Sequence, residues 1–144
     1  MKLGLDIHGV IDSNPESFSF MSHSVISGGG EVHIITGGSW TVELEEQLIG
    51  YGIKWTSYFS VYDHLLNSGV DSIGNIQFPD GTIQKKFDSD LWDTIKGEYC
   101  KNNQIDLHID DTEIYSKYFT TPFLLYKSSE DFDKISSVDI RKHM

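Results

Sequence analysis

Three acids and a threonine stand where a chain of this kind could do chemistry. Asp6 lies in KLGLDIHGVID, Thr36 closes EVHIIT, and Asp110–Asp111 follow the apolar run that ends at Ile109. In the first stretch Leu3, Leu5 and Ile7 are separated by Gly4 and Asp6, and Gly9 breaks the run. Each of the three stretches predicts a β-strand that ends in a polar group. In a parallel sheet their tips share one edge, where open α/β sheets bind ligands. One acid there is an ordinary turn or cap residue. Three acids, a hydroxyl and glycine turns on one edge point to a site. Clustered carboxylates repel one another unless a cation sits among them, and Mg²⁺ with one or two carboxylates and a phosphate relieves that strain.

The elements that must position these groups follow in order. Asp12–Ser13–Asn14–Pro15 is a turn-and-cap cluster, with Ser13 or Asn14 capping a helix that starts at Pro15 and runs to about Ser27. Gly28–Gly29–Gly30 ends it, and Glu31–Thr36 is a buried-type strand closed by Gly37–Gly38. A helix begins near Ser39 or Thr41, and Gly50 and Gly52 close it. Ile53–Trp55 reads as a short third strand, and Tyr58–Leu66 as a helix. Strand signals around Ile73–Phe78 and the Pro79–Asp80–Gly81 turn predict a small hairpin. Asp88 or Ser89 caps the next helix, which carries Leu91, Trp92, Ile95 and Tyr99. Gln104–Ile109 is a strand, Thr112–Phe119 a helix, and Pro122–Tyr126 a last strand. The polar tail holds at most one short helix. Strands alternating with helices predict an α/β fold with a doubly wound, mostly parallel sheet in three layers, α/β/α.

Composition narrows the class. The 144 residues are 38% hydrophobic and 12% aromatic, as expected of one globular domain spanning 1–144. No apolar run approaches the roughly 20 residues of a membrane span, and Met1–Lys2–Leu3 enters a strand without a secretory leader. Cys100 is the sole cysteine, which suits a reducing compartment, and the expected location is cytoplasmic. Eleven Lys and Arg against 22 Asp and Glu give a net charge of −11. That field repels phosphate backbones, so a nucleic-acid module is disfavoured, and the lack of an apolar span argues against a membrane partner.

In motif order the chain resembles the haloacid dehalogenase-like hydrolases, a superfamily made up mostly of Mg²⁺-dependent phosphatases. Asp6–Ile7–His8–Gly9–Val10 is similar to its D-x-D-G-[TV] segment, EVHIIT with Thr36 to its second motif, a lysine to its third, and Asp110–Asp111 to its acidic fourth. The resemblance spans residues 3 to about 119. It implies a phosphomonoesterase in which Asp6 attacks phosphorus and becomes an aspartyl-phosphate. It also implies Mg²⁺ held by Asp6, the backbone carbonyl of His8, Asp110 and, in the outer shell, Asp111. Thr36, the Gly37 amide and a lysine would hold the phosphoryl oxygens. The family's lysine opens a helix ahead of the fourth motif. Lys86, 24 residues before Asp110, fits that place, Lys85 is the runner-up, and Lys96 sits mid-helix and closer to the fourth motif than expected.

One residue departs from the pattern. His8 stands where the family has its second aspartate, the general acid–base. A backbone ligand survives that change, and imidazole can move a proton near neutrality, so His8 is the candidate acid–base. The same departure keeps a rival reading open, a non-catalytic relative that retains a metal or phosphate site. A receiver-type phosphoacceptor also carries strand-tip acids, a threonine and a lysine, but its acidic pair comes early and its lysine late. His33 and His108 lie inside strands and read as core or flank histidines, and Trp40, Trp55 and Trp92 as packing residues. Neither Asp12–Gly30 nor Ser39–Lys85 is long enough for a full cap domain. An open site of that kind suits a phosphorylated small molecule or macromolecule, or closure by a homo-oligomer.

Overall fold

Side-chain alternation along the first strand sorts the whole molecule into layers. In β1 (Lys2–Leu5) Leu3 and Leu5 face one way, and Gly4, with Asp6 beyond it, faces the other. The structure, a computed structural model, describes residues 1–128, and the helix expected in the tail falls outside the described residues. The remaining elements are α1 (Pro15–Ser27), β2 (Glu31–Thr36), α2 (Val42–Gly50), β3 (Ser57–Ser60), α3 (Val61–Asn67), β4 (Gly74–Gln77), β5 (Ile83–Lys86), α4 (Ser89–Asn102), β6 (Leu107–Asp110) and β7 (Phe123–Leu125). Short 3₁₀ turns occupy Ile11–Ser13 and Glu113–Tyr118.

Five strands form a parallel sheet in the order β3-β2-β1-β6-β7, with β1 at its centre. Leu3, Leu5, Val32, Ile34 and Ile109 pack with Phe18 of α1 and Leu48 of α2. On the opposite face Ile35 and Ile105 pack with Cys100 of α4, and Val61 and Leu65 of α3 pack with Ile95. The fold is therefore α/β in three layers, α/β/α, and Rossmann-like. Burying each of these Leu and Ile side chains is worth about 1.5–3 kcal/mol, which holds the central strand rigid where it delivers Asp6.

Helix starts follow local chemistry. Asn14 caps α1 through the amide of Ser17, Thr41 caps α2 through Leu44, and Asp88 caps α4 through Leu91. The third strand differs from expectation. The Ile53 amide bonds back to the Leu48 carbonyl at the end of α2, and Ile53 is consumed in the core. Pairing with β2 begins only where the Thr56 amide meets the Val32 carbonyl, so Tyr58–Ser60 are strand, and Ser60 caps the helix that follows. Likewise Ile105 bonds back to Cys100, which delays β6 to Leu107. The expected hairpin forms as β4 and β5, an antiparallel pair separate from the main sheet. No described helix is long and apolar enough to cross a membrane.

Candidate functional site

The ladder between β1 and β6 runs one residue past β1, because the Asp6 amide donates to the Ile109 carbonyl at 3.1 Å. That bond sets Asp6 beside Asp110 at the carboxyl edge of the sheet. Carboxylate oxygens of Asp6, Asp110 and Asp111 lie within 4.8 Å of one another. Gly9 makes room for the third of them. Its φ is +80°, and a Cβ there would stand 1.9 Å from Oδ2 of Asp111, so both conformation and space require glycine. Thr36, buried at the tip of neighbouring β2, and Gly37 complete the edge.

A lysine lies within this cluster, and it is Lys96. Its Nζ donates to Oδ1 of Asp6 at 3.0 Å and to Oδ2 of Asp110 at 2.8 Å, and its side chain is only 3% exposed. The Tyr115 ring lies 5.0 Å from the ammonium, and the Tyr115 hydroxyl accepts from Nε1 of Trp92. Lys86, expected in this role, is instead exposed at the end of β5, and Lys85 is exposed beside it. The reason is reach. A lysine stem from the middle of α4, on the buried face that carries Ile95 and Cys100, crosses the layer to the strand tips. Gly97 helps, since a Cβ there would meet the Tyr118 carbonyl oxygen at 2.6 Å, so α4 sits close against the Glu113–Tyr118 turn.

Charge is divided unevenly between the two central acids. Burial tends to raise Asp110, but the His108 hydrogen bond and Lys96 outweigh it and hold that carboxyl well below the usual range. The His108 Nε2 lies 2.9 Å from Oδ2, and the Thr112 amide donates to Oδ1 at 3.1 Å. Asp6 has no such surplus of donors. Burial pushes it up to about 7, Asp110 and Asp111 add to the rise, and Lys96 opposes it. Burial works to lower Lys96, but Asp6 and Asp110 together hold it above its ordinary value. One ammonium for two buried carboxylates leaves Asp6 short of positive charge. An all-carboxylate donor set of hard oxygens fits a small divalent cation such as Mg²⁺.

His8 is placed differently from the acids. Its side chain is 71% exposed, and Nδ1 lies 3.2 Å from Oδ2 of Asp12, whose Oδ1 accepts the Gly9 amide at 2.7 Å. Elsewhere His33 is held by the Tyr99 hydroxyl and Glu31, and Trp40 stacks on Tyr58, so both are packing residues.

Sequence reasoning brought Asp6, Asp110, Asp111 and Thr36 to one edge and set His108 on the strand face of Asp110 as a core histidine, but passed over Lys96 and the partnership of Asp12 with His8. A signal for Lys96 exists. Trp92, Lys96 and Cys100 form an i, i+4, i+8 row, and a lysine between apolar partners marks a buried charge. Comparison of the chain with family models, with curated proteins and with solved structures returned no match.

Proposed function

We propose that this chain is a Mg²⁺-dependent phosphomonoesterase of the haloacid dehalogenase-like type, working through an aspartyl-phosphate at Asp6. The observation that carries the reading is Lys96 bridging Asp6 and Asp110, with Asp111 at hand. Asp6, Asp110, Asp111 and the backbone carbonyl of His8 are the groups that would hold Mg²⁺. The cation would neutralise phosphate charge and keep Asp6 ionised for attack.

The chain's own residues supply the rest. An Asp6 carboxylate oxygen attacks phosphorus, the bond from phosphorus to the ester oxygen breaks, and that oxygen leaves with a proton from His8. Water then adds to phosphorus as neutral His8 takes its proton, which releases inorganic phosphate and restores Asp6. Lys96 and the Gly37 amide stabilise the phosphoryl oxygens, and Thr36 adds its hydroxyl. Asp12 orients the imidazole ring of His8 through Nδ1 and leaves Nε2 for proton transfer.

Phosphate release across a panel of phosphomonoesters, with and without Mg²⁺, tests this reading. Wild type should turn over only with the cation, and Asp6→Asn should be at least about 10⁴-fold slower while remaining folded. Normal turnover by Asp6→Asn rules out covalent catalysis there. The exposure of His8 and its tie to Asp12 also favour a second reading, a binding module without turnover. A silent wild type that His8→Asp switches on supports that module.

A further inference from the structure

We propose that His108 is a positioning residue, whose Nε2–H fixes the Asp110 carboxylate for the divalent cation. The inference rests on the reading of Asp6, Asp110 and Asp111 as a cation site. His108 is fully enclosed in the sheet, and its Nε2 lies 2.9 Å from Oδ2 of Asp110. An ionised carboxylate can only accept, so the ring carries its proton on Nε2.

Two features of the site work against stability and are explained by this role. First, Nδ1 is buried with no hydrogen-bond partner among the described residues. An unpaired buried polar atom is destabilising, and an aliphatic side chain would avoid that cost. Second, the neighbouring strand carries glycine at position 4, where a Cβ would stand 2.7 Å from Nδ1. A glycine inside a central strand weakens it and often marks a close approach.

The ring is not the sole donor to Asp110. Lys96 already donates to Oδ2, and the Thr112 amide donates to Oδ1. What the ring adds is direction. Two donors on Oδ2 and one on Oδ1 stop the carboxylate from turning, and leave Oδ1 as the oxygen with capacity for a cation. The ring is clamped in its turn, stacked on Phe119 at 5.2 Å and tilted against Phe123.

Calorimetric Mg²⁺ binding and metal-free thermal denaturation, measured on wild type, His108→Leu and His108→Gln, test the assignment. His108→Leu should stay folded without metal yet bind Mg²⁺ about 10–100-fold more weakly, the usual cost of losing a ligand's supporting hydrogen bond. His108→Gln, whose amide N–H reaches toward the same oxygen, should recover most of the affinity. Wild-type affinity in His108→Leu overturns the inference alone and leaves the cation site standing. Unfolding of His108→Leu, or equal loss of affinity in both variants, assigns the ring to packing and also overturns it. Failure of wild type to bind Mg²⁺ at millimolar concentration overturns the site itself, and the inference with it.

Discussion

Lys96 and His8 serve the same aspartate in the proposed reaction and are held in opposite ways. Lys96 comes up from α4 through the packed layer, is almost wholly buried, and meets two carboxylates and an aromatic ring. His8 stands on the turn beyond β1, is mostly exposed, and has, among the described residues, the single side-chain partner Asp12. The floor of the site is thus wired by the core, and its rim by a turn. Charge stabilisation gains from a dry, fixed environment, because an ammonium in low dielectric acts strongly and needs no reorganisation. Proton exchange with a leaving group and with water needs access instead. The two halves of the proposed chemistry are divided between the two environments that suit them.

Lys96→Met should break this division most severely. It leaves Asp6 and Asp110 buried without their cation, and removing one partner of a buried ion pair costs about 3–5 kcal/mol. Turnover should also fall about 10²–10³-fold, as when one group stabilising transition-state charge is removed. Lys86→Gln, on the exposed hairpin, should change stability by less than about 0.5 kcal/mol and leave turnover intact. Denaturant midpoints and steady-state rates of the pair decide the matter. Equal effects would mean that the hairpin lysine reaches the site during turnover.

His8→Ala should cost less, about 10²-fold, the low end for a general acid–base, because water can reach the same position. Its stability should match wild type, since an exposed side chain with one partner contributes little. Asp12→Asn should slow the reaction by a smaller factor than His8→Ala, and should have no further effect once His8 is gone. A double-mutant cycle on kcat/KM measures this, and additive losses would show that Asp12 acts only through the Gly9 amide.

The same division governed what the sequence disclosed. Strand-tip acids announce themselves through period-two alternation and a following glycine, so Asp6 and Asp110 were legible, as were the caps Asn14, Thr41 and Asp88. Parity also placed His108 on the face of Asp110. Lys96 was not legible from motif spacing, because a buried helix position, not a helix start, fixed where its ammonium ends. Spacing counts residues along the chain, whereas a lysine's long stem lets the layer thickness choose the donor. The strand at Ser57–Ser60 was missed for a related reason. Apolar Ile53 and Trp55 look like strand, yet they close the core below α2, and the ladder starts at the Thr56 amide.

The last prediction concerns Asp6 before any cation arrives. Burial, with Asp110 and Asp111 nearby, raises its folded-state value from 3.8 to about 7. A carboxyl that holds its proton more tightly when folded adds stability that is fully present below pH 4 and is lost as pH rises through about 7. Asp6→Asn has no such proton to lose. Relative to wild type it should therefore gain stability steadily between pH 4 and 7 and then level off, by at most about 4 kcal/mol. His108, whose value burial lowers despite the bond to Asp110, favours the fold as pH rises through its unfolded value. That contribution is common to both proteins and drops out of their difference. Millimolar Mg²⁺ should close the gap at pH 7.5, because a cation beside Asp6 favours its ionised form and stabilises wild type above the variant. Thermal denaturation of both proteins from pH 4 to 8, with and without Mg²⁺, reads the difference directly. A gap that stays flat with pH would mean that Asp6 is ionised throughout, so that Lys96 alone satisfies both carboxylates and the floor of the site is not short of positive charge.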